Sequence, residues 1–200
     1  MWNLKLSVLV LLAVLSGCSF THDDFTAPEP IGRVIAANGF PVVIRNNQRY
    51  ILAAQSEIYL SDIINSNDES RVEILLTDGE LIAVGPESHL VLHESNRLTL
   101  TRGSVFISVV ENSRLRLGTS LAALTLKTGS MLAMLNARTL ETCLISGDLT
   151  VSNDNGETEL LNPVTGASVI AGSAPQTPVN WGERRLERGI SNIRVMHSSR

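Results

Sequence analysis

Few residues of this chain are of types that do chemistry, and their spacing argues against most of the chemistries they could do. His89 and His93 stand four apart, the interval that sets two zinc ligands on one side of a helix. Leu90 and Leu92 alternate with them as in a strand, where the same pair would lie about 13 Å apart at ~3.3 Å per residue, too far to share an ion. No metal site is expected, and both imidazoles read as half-polar positions on an outer sheet face. Asn153-Asp154-Asn155-Gly156-Glu157 has the composition of a calcium loop. With Gly156 in its sixth position, however, the first and twelfth fall on Val151 and Asn162, which cannot supply the charged ligands. The segment predicts a hairpin turn around Asn155-Gly156 instead. Asp62, Asp68, Asp78, Glu80 and Asp148 are scattered over turn-like stretches, and no spacing selects an acid and base pair among them. The sequence holds no Gly-x-Ser-x-Gly elbow, phosphate loop or Cys/His constellation. Stacked carboxylates cleaving an acidic polysaccharide are the enzymatic alternative, but aromatic residues are only 4% and leave few platforms for sugar rings. The chain is therefore expected to be no enzyme and to use no cofactor.

Its two cysteines call for different readings. Leu15-Ser16-Gly17-Cys18 closes an apolar run, Leu4 to Leu15, that sits behind a single Lys5. The run is too short for a stable span and suits a signal-peptide core. Its last four residues resemble a bacterial lipobox, which implies cleavage before Cys18 and lipidation of that cysteine. Several acyl chains, at about 0.8 kcal/mol per buried methylene, anchor stably where one would not. Ser19 rather than Asp after the cysteine implies sorting to the outer membrane, facing the periplasm of a bacterial cell envelope. Residues 1–17 are thus expected to be a signal peptide. Residues 18–30, which include the polar, proline-bearing SFTHDDFTAPEP, are expected to be a lipidated cysteine and flexible tether. Loss of Lys5 would take the formal net charge from -4 to about -5, which argues against nucleic acid as a partner. Cys143, beside Leu144 in an apolar stretch, reads as a small buried hydrophobe.

The elements that would carry any site are strands. Ile31 to Ile35, Pro41 to Arg45, Arg49 to Leu52, Arg71 to Leu76, Glu80 to Val84 and Ser88 to Leu92 are short apolar or alternating runs. Asn38-Gly39, Asn46-Asn47 and Asp78-Gly79 supply turns between them. A unit of one apolar residue, a few polar ones, a glycine and an apolar run recurs with Gly79, Gly103, Gly129, Gly147 and, more loosely, Gly166, at separations of 24, 26, 18 and 19. The pattern predicts an all-β domain over residues 31–170, an irregular β-solenoid or β-roll of short strands with corners at Asp78-Gly79, Gly103, Gly129 and Gly147. Leu121 to Leu135 is read as two strands around such a corner, although its leucines and alanines would also suit a helix. Residues 171–200 read as a linker and a basic tail of about +3, with a short helix capped by Asn180. The tail is expected to be a solvated surface, with anionic headgroups or a partner as the alternative.

A family resemblance rests on these same positions. Leu60-Ser61-Asp62-Ile63-Ile64, Ser70 to Leu76, Asp78-Gly79, Leu81, Pro86, Ser88 and Leu90 resemble the core of the FecR protein domain. Leu126-Lys127-Thr128-Gly129-Ser130 and Cys143 to Val151 resemble its later elements. Ser61 stands where that family usually has glycine, and Ser130 where it usually has threonine. The resemblance runs from about Arg33 to Ser152 and implies a module that senses a signal from an outer-membrane receptor and relays it toward a sigma factor. Regulators of that kind carry a cytoplasmic segment and one membrane span ahead of the domain. Neither is read here, so a processed Cys18 would leave the periplasmic half of that logic: a β surface binding another envelope protein. A structural module that binds peptidoglycan or a surface polysaccharide is the alternative.

Overall fold

The three longest strands change burial pattern midway, and that change sets the architecture. The computed structural model describes residues 28–111 and 113–195. In β9 (Arg97–Val109), buried Leu98 and Leu100 alternate with polar neighbours, but beyond Gly103 the run Val105-Phe106-Ile107 is buried without a break. In β11 (Ala123–Leu135), Leu124 and Leu126 alternate before Gly129, and Met131-Leu132-Ala133 are all buried after it. In β12 (Thr139–Asn153) the order is reversed, with Thr142-Cys143-Leu144 buried before Gly147 and only Leu149 and Val151 after it. Alternation marks a sheet with one face in water, and a continuous run marks a strand covered on both faces. Each long strand therefore passes between a covered layer and an open one. It bends at a glycine whose φ is +87° (Gly103) or +86° (Gly129 and Gly147). Gly129 and Gly147 are direct partners in the β11–β12 ladder. Only a residue without Cβ lets two backbones come that close at a positive φ.

The covered layer runs β4 (Glu57–Ile58), β1 (Gly32–Asn38), β6 (Arg71–Leu76), β7 (Leu81–Val84), the second halves of β9 and β11, the first half of β12, β14 (Thr165–Ile170) and β15 (Val179–Asn180). The open layer runs β3 (Gln48–Ile51), β2 (Val42–Arg45), β5 (Ile63–Asn65), β8 (His89–Glu94), the first half of β9, β10 (Leu115–Gly118), the first half of β11, the second half of β12 and β13 (Gly156–Leu160). β10 lies between β9 and β11 in the open layer only, while in the covered layer those two pair directly. The chain is thus mostly β, as its pattern predicts, and forms one open sheet that no pairing among the described residues closes into a barrel. The expected solenoid does not form. Its coils would stack in parallel, whereas β9 with β10 is the single parallel pairing among the described residues. Nor do Gly103, Gly129 and Gly147 separate short strands, since each bends a strand of 13 or 15 residues.

One apolar cluster joins the layers: Ile74, Ile82 and Ile107 from the covered layer, with Leu90, Leu98 and Leu124 from the open one, all at 0% exposure. Each such side chain contributes roughly 1.5–3 kcal/mol. A second cluster lies on the far side of the covered layer, where Ala83, Phe106, Leu132 and Cys143 pack under Trp181, Leu186 and Ile193. The last two belong to helix α1 (Glu183–Ile193). Packing therefore continues past the expected boundary at residue 170, because β15 pairs with β14 and α1 covers the sheet beyond it. The helix starts at Glu183 behind Gly182, and Asn180 does not cap it: its Oδ1 accepts the Gly182 N–H instead. Two arginines of the basic tail are also engaged. Arg185 stacks 3.8 Å over the Trp181 ring and pairs with Glu141 at 3.0 Å, and Arg194 pairs with Glu73 at 3.1 Å.

Candidate interaction surface

A sheet that stays open has ends, and the ends differ in how well they are protected. β4 and β15 are two residues long, and Pro178 precedes β15. β13 presents the exposed carboxylates Glu157 and Glu159, which discourage a further strand. β3 is different: Gln48, Arg49, Tyr50 and Ile51 are all exposed, and none is a proline or an acid. Asn46 and Asn47, with φ of 51° and 61°, form the two-residue turn that joins it to β2. The register pairs Arg45 with Gln48 and Val43 with Tyr50, and the Leu52 N–H donates to the Pro41 carbonyl at 2.8 Å. By the alternation of an antiparallel ladder, Gln48 and Tyr50 spend their backbone groups on β2, and the N–H and C=O of Arg49 and Ile51 face outward. β3 pairs with no other strand among the described residues.

Beside this edge stands a charged and aromatic cluster that the sequence did not disclose. Nε and Nη2 of Arg45 donate to the two carboxylate oxygens of Asp62, each at 2.7 Å, and Nη2 also reaches the Glu57 carbonyl at 3.0 Å. Asp62 is fully buried and accepts the Tyr59 N–H at 2.9 Å as well, so its charge is satisfied from three donors. The bond to Asp62 pushes the Arg45 pKa up, against burial. The guanidinium lies 4.2 Å from the Tyr59 ring centre and 6.0 Å from that of Tyr50. These are the chain's two tyrosines. Tyrosine and arginine are the residue types that concentrate binding energy at interfaces, and here they flank an edge strand that lacks acid and proline.

The residues singled out from sequence fall elsewhere. Leu15, Ser16, Gly17 and Cys18 lie outside the described residues. Asp78 and Gly79 form the β6–β7 turn, with Gly79 at φ +91° and its N–H donating to the Leu76 carbonyl at 3.0 Å. The fold brings Gly129 and Gly147 together, while Gly103 pairs with Leu135. His89 and His93 bind no common group: Nδ1 of His89 meets Thr101 Oγ1 at 2.7 Å and Nε2 of His93 meets Thr99 Oγ1 at 2.9 Å. Burial, then Arg102, lowers the His89 pKa. Asn153 pairs with Gly156, so the β12–β13 turn is Asp154-Asn155, one residue earlier than the composition suggested. Cys143 is fully buried beneath α1, and burial pushes its thiol up to about 11 against the opposing charge of Arg185.

Three carboxylates among the described residues turn out to be buried: Asp62, Glu73 and Glu80. Glu73, at 1% exposure, accepts from Arg194 and from the Val195 N–H at 2.9 Å. Its place inside the apolar run Arg71 to Leu76 was a legible signal, since a charge within a doubly covered strand must find a partner. Glu80 accepts from the Ser113 hydroxyl on one oxygen, and its Oε2 has no partner among the described residues. Burial raises its pKa, Asp78 adds to the rise, and Ser113 opposes it. No group of three or more potential metal ligands converges among the described residues, and none of their helices is long and apolar enough to cross a membrane.

No family model matches the chain, and neither does any curated protein. Solved structures do. Two, each described as a "putative anti-sigma factor" from Parabacteroides distasonis ATCC 8503, superpose with TM-scores of 0.55 and 0.54 at 13% and 15% identity. Each match covers 62% of this chain and 62% of the other, so the chain spans less than two thirds of the length of these neighbours. At that identity the likeness is one of fold.

Proposed function

We propose that this chain is a non-enzymatic regulatory module of the bacterial envelope, with a FecR-like domain anchored through Cys18 and facing the periplasm, that works by binding protein. The observation that carries the reading is the exposed edge β3 with Tyr50, Arg45 and Tyr59 beside it. Main-chain groups of Arg49 and Ile51 give an incoming strand its hydrogen bonds, and the aromatic cluster gives it selectivity. The fold shared with the two Parabacteroides structures supports a place in sigma-factor signalling. Because the lipobox would place the whole mature chain outside the inner membrane, its contribution is to engage an envelope protein and not the sigma factor itself.

In-cell photocrosslinking from position 50 tests this. Adducts to defined envelope proteins are expected, weakened in a Cys18→Ala strain and lost when Ile51→Pro is added. Proline at 51 removes an outward N–H that β2 does not use, so the hairpin survives while strand addition is blocked. Adducts indifferent to Ile51→Pro would refute β3 as the binding edge. Co-sedimentation with purified cell wall, retained by the Ile51→Pro variant, would move the assignment to a structural glycan-binding module.

A further inference from the structure

The exposed edge is complementary to itself, and we infer that its partner in a resting state is β3 of a second copy of this chain. The inference rests on the reading of β3 as the binding edge and is independent of any role in sigma-factor signalling. Four outward backbone groups belong to this strand, the N–H and C=O of Arg49 and of Ile51. An antiparallel twofold pairing can centre on residue 49, 50 or 51 and still match outward groups with outward groups. Centred on 49, it opposes Arg49 to its own copy, a like-charge pair. Centred on 51, it sends Arg49 to residue 53, beyond the end of the strand. Centred on 50, Arg49 of each copy faces Ile51 of the other and all four groups of both strands are satisfied.

Side chains fit the same register. Arg49 and Ile51 share the face that carries Val42 and Ile44, through the register Val42 to Ile51 and Ile44 to Arg49. The aliphatic stem of each Arg49 would cover the other copy's Ile51, which is 65% exposed in the single chain. On the opposite face each Tyr50, 46% exposed, meets its twin in a non-hydrogen-bonded pair, the closer kind of cross-strand contact. Neither β2 nor β3 contains an acid, so no carboxylate of one copy is set against a carboxylate of the other.

Cysteine scanning reads both the contact and its register. The chain carrying Cys18→Ser, which leaves only buried Cys143, is given Arg49→Cys, Tyr50→Cys or Ile51→Cys and oxidised with copper-phenanthroline at a protein concentration of ~1 mM, the range that confinement to a membrane would supply. A disulfide-linked dimer is expected for Tyr50→Cys at least tenfold above the other two, and it should fall at least tenfold when Ile51→Pro is added. Strongest crosslinking at 49 or 51, absence of crosslinking at all three, or a Tyr50→Cys dimer that Ile51→Pro leaves intact would each overturn the inference. In-cell adducts from position 50 that contain only other proteins and disappear with Ile51→Pro would also overturn it, while leaving β3 as the binding edge of the proposed module.

Discussion

The crossing of β11 and β12 between layers makes Gly129→Ala the most demanding single test of this architecture. Gly129 has φ +86°, and a Cβ placed there would stand 2.1 Å from the Ser146 carbonyl oxygen and 2.4 Å from its carbon. The left-handed conformation alone costs an L-residue about 1–2 kcal/mol. The clash cannot be relieved by a flexible side chain, because what it meets is backbone. Moving the Ser146 peptide aside by about an ångström would break the ladder where Gly129 faces Gly147, losing one or two bonds at ~1 kcal/mol each. The sum is about 2–4 kcal/mol, against a total stability on the order of 5–15 kcal/mol. Gly172→Ala supplies the reference, since Gly172 has φ +79° but a Cβ there meets nothing within 4 Å, leaving only the ~1 kcal/mol conformational cost. In urea, with an m-value of ~2 kcal/mol/M, Gly129→Ala should lower the midpoint by about 1–2 M and Gly172→Ala by about 0.5 M, at unchanged m. Equal shifts for the two would refute the claim that the strands cross by close backbone approach at this glycine.

Three further outcomes follow from particular side chains. Burial holds the Glu80 pKa above its unfolded value, so its ionisation works against folding: its contribution is intact below the unfolded pKa and declines as pH rises through the folded one. Glu80→Gln should accordingly stabilise the domain at pH 7 by about 1 kcal/mol and make no difference near pH 4, read from denaturation midpoints at both pH values; a pH-independent effect would contradict this. Ser61 takes φ 66° in an exposed turn, so Ser61→Gly should raise stability by roughly 0.5–1 kcal/mol, and a loss would show that the serine side chain earns its place there. Arg194→Ala leaves the Glu73 carboxylate buried without its cation. With the arginine 42% exposed and therefore partly screened, about 1–2 kcal/mol should be lost, and Glu73→Gln in the same chain should recover part of it; strict additivity would mean the pair is uncoupled.

Strand positions were legible because the open layer alternates, as Leu98 with Thr99 or Leu115 with Arg116, and an alternating strand announces its inner face. The glycines of the bends were legible too, but not what they do. In sequence Gly103, Gly129 and Gly147 look like ends of strands, because a bend inside a strand and a turn between strands demand the same positive φ. Parallel coils were a natural extrapolation from spaced glycines, yet pairing partners depend on contacts far apart in the chain that no local pattern records. The departure at Ser61 from the glycine of the family pattern did carry structural information, since the position keeps the left-handed conformation that glycine would favour. Continuous apolar runs at Val105 to Ile107 and Met131 to Ala133 signalled a second covering surface without saying what supplied it. The cover is α1, which composition had consigned to a solvated tail, because an amphipathic helix of 11 residues with six charged or amide side chains outward reads as surface until its acceptor is known. The β3 edge was invisible as a site for the opposite reason: Gln48 to Ile51 is an ordinary strand in sequence, and only the sheet order shows it has one neighbour.

The two outer faces of the domain are unequal as places to bind. A partner reaching the covered layer would have to lift α1, exposing Phe106, Leu132 and Cys143 and stripping Glu73 of Arg194, a cost of several kcal/mol before any new contact forms. A strand arriving at β3 displaces only water. The chain also enters the domain near that edge, since Ile31 bonds the Ile58 carbonyl on β4 and the adjacent Glu57 carbonyl accepts from Arg45 at the end of β2. From Ile31 back to Cys18, an extended chain reaches at most about 45 Å. In the proposed reading, lipid at Cys18 therefore keeps β3 within a molecular diameter or so of the bilayer and confines every copy to one plane. A four-residue edge is too short to hold a dimer at low concentration in bulk solution, where specific interfaces usually exceed about 1,000 Å². Confinement raises effective concentration toward the millimolar range, in which a contact of that size can be populated and still be released to a competing strand. An unlipidated Cys18→Ser chain should then pair measurably only at high concentration, and sedimentation velocity from about 10 μM to 1 mM would show it. A dimer already complete at the lowest concentration would mean that an interface larger than β3 holds the copies together.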